Sequence, residues 1–194
     1  MLCGVPLEGE SNLCADCQTQ RPCYRALRAW TVFDGPVRAA LHRLKYRRDI
    51  ALGEALTPQL SEFINGLGWP VDLVVPVPLG SKRRAERGYN QVSLIARPLA
   101  MVMRISYSPN ALVRSHETRS QVGLTRVQRQ ENVRNAFSAR RERVQGRTVL
   151  LMDDVATTGS TLSSCAEALY GAGARDVFAF AVARAIPRHG LRNA

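Results

Sequence analysis

Asp153 and Asp154 stand side by side in this 194-residue chain, directly after the apolar run Val149 to Met152 and just before the loop Ala156-Thr157-Thr158-Gly159-Ser160-Thr161. Adjacent carboxylates accept hydrogen bonds from a neutral polyol, and two of them suit the vicinal hydroxyls of a ribose. A loop of small hydroxyl residues that opens a helix offers backbone N–H groups without intrahelical partners, together with the positive end of the helix dipole. Those features make a site for a phosphate dianion. Gly159 is expected to let the loop backbone approach that phosphate, since a Cβ there would collide with its oxygens or forbid the turn. Carboxylates beside a phosphate would repel it, so the layout reads as a ribose held by acids at one end and by its 5-phosphate at the other.

Such a site needs a sheet to carry it. "RTVLLMDD" reads as a buried strand ending at the acids, and Leu162, Cys165, Ala166, Leu169 and Tyr170 form the stripe of the helix that follows. "DVFAFAVAR" is a further buried strand, "DLVVPVP" another stopped by its prolines, and "AWTVFD" and "ALVRS" are short ones. Val37, Leu41 and Leu44, then Leu52 to Ile64, are spaced as two amphipathic helices. Helical spacing resumes over "NQVSLIARPLAMVM", where Pro98 must kink the helix or mark its first turn. "TRVQRQENV" predicts a short helix that Thr125 and Gln128 open as a capping box. Strands alternating with helices predict an α/β fold with a mostly parallel sheet covered on both faces.

The formal charge is +11, and it is uneven: 15 of the 27 Lys and Arg but only 4 of the 16 Asp and Glu lie between Ser81 and Arg147. A local cationic excess fits an anionic partner, nucleic acid or a phosphorylated small molecule. The excess is almost entirely Arg, which GC-rich coding would produce without any such partner. Few aromatics, among them Tyr89, Tyr107 and Phe137, lie in that zone, which argues against a base-stacking track. No apolar run is long enough to span a bilayer, and a soluble cytoplasmic protein is expected. Cys3, Cys14, Cys17 and Cys23 cluster near the start, a pattern that points to metal more than to disulfides, whereas Cys165 reads as structural.

Apolar strand, two acids, an apolar residue, any residue and Thr-Thr-Gly-Ser resembles the 5-phosphoribosyl-1-pyrophosphate (PRPP) motif of type I phosphoribosyltransferases. With "RGYNQ" after a "PVP" strand, "LKYR" at 44–47, and the spaced Arg114, Thr118, Gln121, Leu124, Arg129, Asn132 and "AF", the chain resembles the ComF/GntX family. The resemblance implies a phosphoribosyltransferase-like domain over 26–194, after a cysteine-rich, zinc-ribbon-like segment over 1–25, in competence or the use of external DNA. Asp153 and Asp154 would orient the sugar as catalytic residues, and Ala156, Thr157, Thr158, Gly159, Ser160 and Thr161 would hold the 5-phosphate. Thr157 stands where purine-salvage enzymes carry an Asp, which argues against 6-oxopurine salvage.

A departing pyrophosphate needs positioned cations and Mg2+, and the turn from Leu79 through Lys82, Arg83, Arg84 and Arg87 is placed to supply the cations. Enzymes of this type often carry a strained, sometimes cis, peptide in the matching loop, which directs attention to Leu79-Gly80. Between Arg114 and Phe137 the chain is polar, with Gly123 as a pivot, and reads as a hood carrying Arg114, Thr118, Gln121, Arg129 and Asn132, or else as an exposed helical hairpin. His42, His116 and His189 read as structural or solvated, with His116 a weaker candidate proton shuttle in the hood; Lys45 draws more interest, as one of two lysines. Zinc would take Cys3, Cys14 and Cys17, but the family's paired Cys-x2-Cys pattern lacks one cysteine, whose place falls one position before Met1. This is expected if the true start lies upstream, with Cys23 a poorly spaced substitute. Three functions follow: phosphoribosyl transfer to an unidentified acceptor, a DNA-binding or DNA-uptake accessory role, or a PRPP sensor.

Overall fold

The computed structural model describes residues 2–5, 13–114 and 136–186. Five parallel strands form one sheet in the order β1 (Ala26–Val32), β7 (Asp176–Arg184), β6 (Thr148–Ala156), β2 (Leu73–Pro76) and β3 (Ser106–Tyr107). A small antiparallel pair, β4 (Leu112–Arg114) and β5 (Phe137–Ala139), stands apart from it. The order places β6 and β7 inside the sheet, which is why their sequences read as continuous apolar runs instead of alternating ones.

The pleat sorts those runs between two cores. Val149 and Leu151 of β6 pack with Leu73 and Val75 of β2 and with Leu162, Cys165 and Leu169 of a long helix, Ser160–Gly171. Leu150 and Met152 point the other way, among Leu41, Leu44, Leu60, Ile64, Ile95 and Leu99. That second layer is built by α2 (Gly35–Tyr46), α3 (Ala51–Ala55), α4 (Thr57–Gly66) and α6 (Gln91–Met103). The helices expected over 37–44 and 52–64 are present, the latter broken at Leu56 into α3 and α4.

Pro98 sits well inside α6, so it marks no first turn. It has no N–H to give the carbonyl of Leu94, four residues back. Helix α3 of the same layer closes on that carbonyl: a Cβ built on its Gly53 would stand 2.5 Å from the Leu94 oxygen. The bare glycine thus lets α3 lie directly on the backbone that the proline exposes.

Several short elements were not foreseen, among them β3, β5 and three short helices. The cation-rich turn after β2 is a helix, α5 (Ser81–Arg87), ended by Gly88 at φ 81°, and α1 (Ala15–Thr19) lies inside the cysteine segment. A four-residue turn, α7 (Arg141–Val144), precedes β6, and α8 is the Ser160–Gly171 helix. Every peptide bond among the described residues is trans, so the expectation for Leu79-Gly80 is not met. Gly80 is in ordinary extended geometry, φ −61° and ψ 152°.

Candidate functional site

The acids close β6 at its carboxyl end, where ligands collect in parallel sheets. Because side chains alternate, consecutive acids leave the strand toward opposite layers. Asp154 goes to the α2/α6 side, where its Oδ2 takes the Lys45 ammonium at 2.8 Å and the Gln91 amide N–H at 3.0 Å, and it is only 4% exposed. Asp153 goes to the α8 side and accepts the backbone N–H of Asp154 at 2.8 Å. Burial first, and then the neighbouring Asp154 carboxylate, push Asp153 up to about 8. The same surroundings act on Cys165: burial, and then Asp153, raise its thiol well above the usual range, which leaves it an inert core group.

The five residues from Arg87 to Gln91 explain how Lys45 and Gln91 reach the strand end. Gly88 ends α5 in the left-handed region. Tyr89 donates its hydroxyl to the Leu44 carbonyl at 2.5 Å, fixing the last turn of α2 so that Lys45 overhangs β6. Asn90 caps α6 by accepting the Val92 N–H at 3.0 Å, while its amide donates to the Val77 carbonyl at 2.9 Å and ties the cap to the end of β2. Gln91 then bridges: its carbonyl oxygen accepts from Arg87 at 2.7 Å, and its amide donates to Asp154. The Arg87 guanidinium also lies 5.0 Å over the Tyr46 ring. The result is a hydrogen-bonded chain from Arg87 through Gln91 and Asp154 to Lys45.

A cleft of about 560 Å3 opens above these groups. Asp153, Asp154, Ala156, Thr157, Gly159, Ser160 and Thr161 line it, as do Leu79, Arg83 and Arg87 from the loop after β2 and Arg114 from β4. Arg114 lies along Gly80, and its guanidinium stands 5.5 Å over the Phe137 ring. Lys82 and Arg84, on the exposed side of α5, are not among the lining residues. Thr158 faces away from the cleft; its hydroxyl meets the Ser160 hydroxyl at 2.8 Å at the start of α8. Thr118, Gln121, Arg129 and Asn132, with His116, His189 and the expected 125–133 helix, lie outside the described residues.

Similarity to known proteins accords with this arrangement. The phosphoribosyl transferase domain pattern matches residues 51–189. The chain belongs to the phosphoribosyl transferase domain family. It is 31% identical to the DNA utilization protein YhgH of Escherichia coli K12 across 95% of this chain and 83% of that protein. It is 30% identical to the competence protein ComFC of Bacillus subtilis strain 168, covering 94% of this chain and 76% of the relative. Adenine phosphoribosyltransferase from Thermoanaerobacter pseudethanolicus overlays 71% of this chain and 83% of its own at 14% identity and a TM-score of 0.44, too distant to bear on the site. The resemblance to the ComF/GntX proteins read from the sequence is therefore borne out.

Gly159 has the backbone freedom that was expected of it, and it has a further neighbour. It sits at φ 82°, and a Cβ there would meet the Tyr24 hydroxyl at 2.8 Å, so the close approach is to the N-terminal segment. That segment is docked on the first turn of α8 and on β1: the Cys23 N–H donates to the Ser163 hydroxyl at 3.0 Å, and the Leu27 N–H to the Leu2 carbonyl at 2.7 Å. It also gathers the sulfurs of Cys3, Cys14 and Cys17 within 4.8 Å of one another, while Cys23 is exposed and outside the group. Among the described residues no helix is long and apolar enough to cross a membrane.

Proposed function

We propose that the cleft binds PRPP and that the chain transfers its phosphoribosyl group to an acceptor, releasing pyrophosphate. The observation that carries this reading is the arrangement of the cleft wall: loop N–H groups at the head of α8, two acids at the end of β6, and Arg83, Arg87 and Arg114 opposite. In this reading the loop from Ala156 to Thr161 receives the 5-phosphate, and the acids take the ribose hydroxyls. The arginines meet the charge that develops on the departing pyrophosphate. Lys45 and Gln91 act as positioning residues, holding Asp154 in one rotamer for the sugar.

A hard cation prefers oxygen donors, and Asp153 and Asp154 are the carboxylates the cleft offers, with Asp154 already committed to Lys45. Mg2+ bound with the substrate would neutralise pyrophosphate charge and assist its departure. Calorimetric titration with PRPP and Mg2+ is the test. The wild-type chain is expected to bind, and the Asp153→Asn/Asp154→Asn double variant to bind about 100-fold more weakly, as two charge-assisted hydrogen-bond sites are lost. Equal binding by both forms would refute the reading. Acceptor-dependent pyrophosphate release separates a transferase from a PRPP sensor that only binds.

Three converged thiols fit three corners of a tetrahedral thiolate site, and Cys3, Cys14 and Cys17 would hold zinc there as a structural ion. The expected result is about one zinc per chain by elemental analysis, lost in Cys17→Ser. A chain that retains no metal would exclude the site. The DNA reading rests on the relatives named for DNA utilization and competence and on exposed α5, with its four basic residues. It requires affinity for DNA that falls steeply with salt.

A further inference from the structure

A second cavity, of about 570 Å3, lies behind the phosphate loop, between that loop and the cysteine segment. Arg184, the last residue of β7, lines it and is 6% exposed. Its Nε and Nη1 are buried and make no hydrogen bond. No carboxylate among the described residues pairs with it in a salt bridge. A guanidinium taken out of water in this state costs several kcal/mol unless an anion reaches it.

The surroundings suit such an anion. Thr158, which faces away from the ribose cleft, and Ser160 bring hydroxyls to the same wall, at the head of the 12-residue helix α8. The rest of the wall includes the thiols of Cys3, Cys14 and Cys17, polar Gln20 and Ser163, and apolar or aromatic Pro22, Tyr24 and Ile186, so a zinc ion on the thiols would border the same cavity. Charges at the mouth oppose one another: Arg21 and Asp16 are both exposed and in water, where each counts for little beside a buried Arg184.

We propose that this cavity is a second anion site, distinct from the ribose cleft, which takes a phosphomonoester dianion on Arg184 and the Thr158 and Ser160 hydroxyls and packs the ligand's ring against Pro22 and Ile186. The ligand class is a nucleoside monophosphate. The two cavities share Thr157, Gly159 and Ser160, so one loop would carry a phosphoryl group on each side. Occupancy of the second site would then fix the loop that the first site uses.

The test is calorimetric titration of the full chain with AMP and, separately, with inorganic phosphate, each with and without saturating PRPP and Mg2+, on wild type and on Arg184→Gln. AMP is expected to bind wild type in both conditions, phosphate more weakly. Arg184→Gln should weaken both by about 10-fold or more, the worth of a charge-assisted pair, while changing PRPP affinity less than about 3-fold. AMP binding that PRPP abolishes, or a PRPP affinity that falls with AMP's, would overturn the proposal, because Arg184 would then serve the 5-phosphate from behind. So would a 5′-phosphorylated oligonucleotide that binds where AMP does not.

A stability readout guards against a misfolded variant. Arg184→Met removes a buried charge and keeps a long, unbranched side chain, so it should melt at the same temperature as wild type or higher. Phosphate should raise the melting temperature of wild type and leave that of Arg184→Met unchanged. A lower melting temperature in Arg184→Met, or loss of bound zinc in it, would mean that the guanidinium braces the scaffold or balances the thiolates, and either result overturns the proposal.

Discussion

Asp154→Ala is expected to lose about 3 kcal/mol of folding free energy, while Asp153→Asn, one residue away, gains stability. The opposite signs come from the alternation of β6. Asp154 is buried with its Oδ2 on Lys45 and Gln91, so its removal strands an ammonium that is itself largely covered. Asp153 has no cation at comparable distance among the contacts of the described residues. Burial and the adjacent carboxylate raise its folded pKa to about 8 from an ordinary 3.8. Between those values the folded chain holds a proton that the unfolded chain has released, so stability declines as pH rises from about 4 to about 8. Asn carries no proton to lose and escapes that decline. Its advantage over wild type should therefore widen from pH 5 to pH 8, by about 1 kcal/mol or more. Chemical denaturation of the three proteins at both pH values reads the effect. A wild-type curve that gains stability over that window, or an Asp153→Asn that loses it, would show that Asp153 is not held protonated.

The same titration has a functional side that runs in the opposite direction. If the ribose hydroxyls donate to the carboxylate, PRPP binding with Mg2+ draws the proton off Asp153, so affinity should rise with pH across the window in which stability falls. Titrations in buffers of different ionisation enthalpy would report close to one proton released per ligand bound near pH 7. A site carboxylate that costs the fold stability and serves only when ligand and cation arrive is a common compromise at such positions.

How much of this was legible in the sequence depends on how local each cause is. The strand, acids and hydroxyl loop of 149–161 lie in one continuous segment, and the rules that shape it act over a few residues. The two-layer sheet was likewise legible from the unbroken apolar runs of β6 and β7, which only an interior parallel strand requires. Helix α5 was missed because "SKRRAER" has no buried residue and hence no apolar stripe. Lys45 and Gln91 lie 109 and 63 positions from Asp154, and nothing in a linear reading joins them. Their motifs stood out only by resemblance, without a role. Arg184 carried a usable signal: a cation closing the run "DVFAFAVAR" is out of keeping with the apolar residues before it, which all seek burial. The freedom of Gly159 was legible, but its neighbour Tyr24 was not, since that approach is a fact of tertiary packing.

That neighbour makes Gly159→Ala the other change with a large expected effect. Two costs add. A residue with a Cβ at φ 82° pays about 1 kcal/mol for the left-handed region, and the new methyl meets the buried Tyr24 hydroxyl at 2.8 Å, an overpacking cost of about 1 to 3 kcal/mol. The total, about 3 kcal/mol, falls on the turn that aims the N–H groups of α8, so PRPP affinity should drop along with the melting temperature. Backbone strain and collision separate by a second substitution. Tyr24→Phe removes the offending oxygen, and the next ring atom lies 3.8 Å from the Cβ position, ordinary contact. The Tyr24→Phe/Gly159→Ala double variant should therefore relieve the collision and retain only the conformational cost, about 1 kcal/mol. Recovery in both melting temperature and PRPP affinity would tie the 156–161 loop to the cysteine segment packed against it. If Gly159→Ala binds as poorly in the Tyr24→Phe background as it does alone, the loop answers only to its own backbone, and the docked segment has no hold on the ribose cleft.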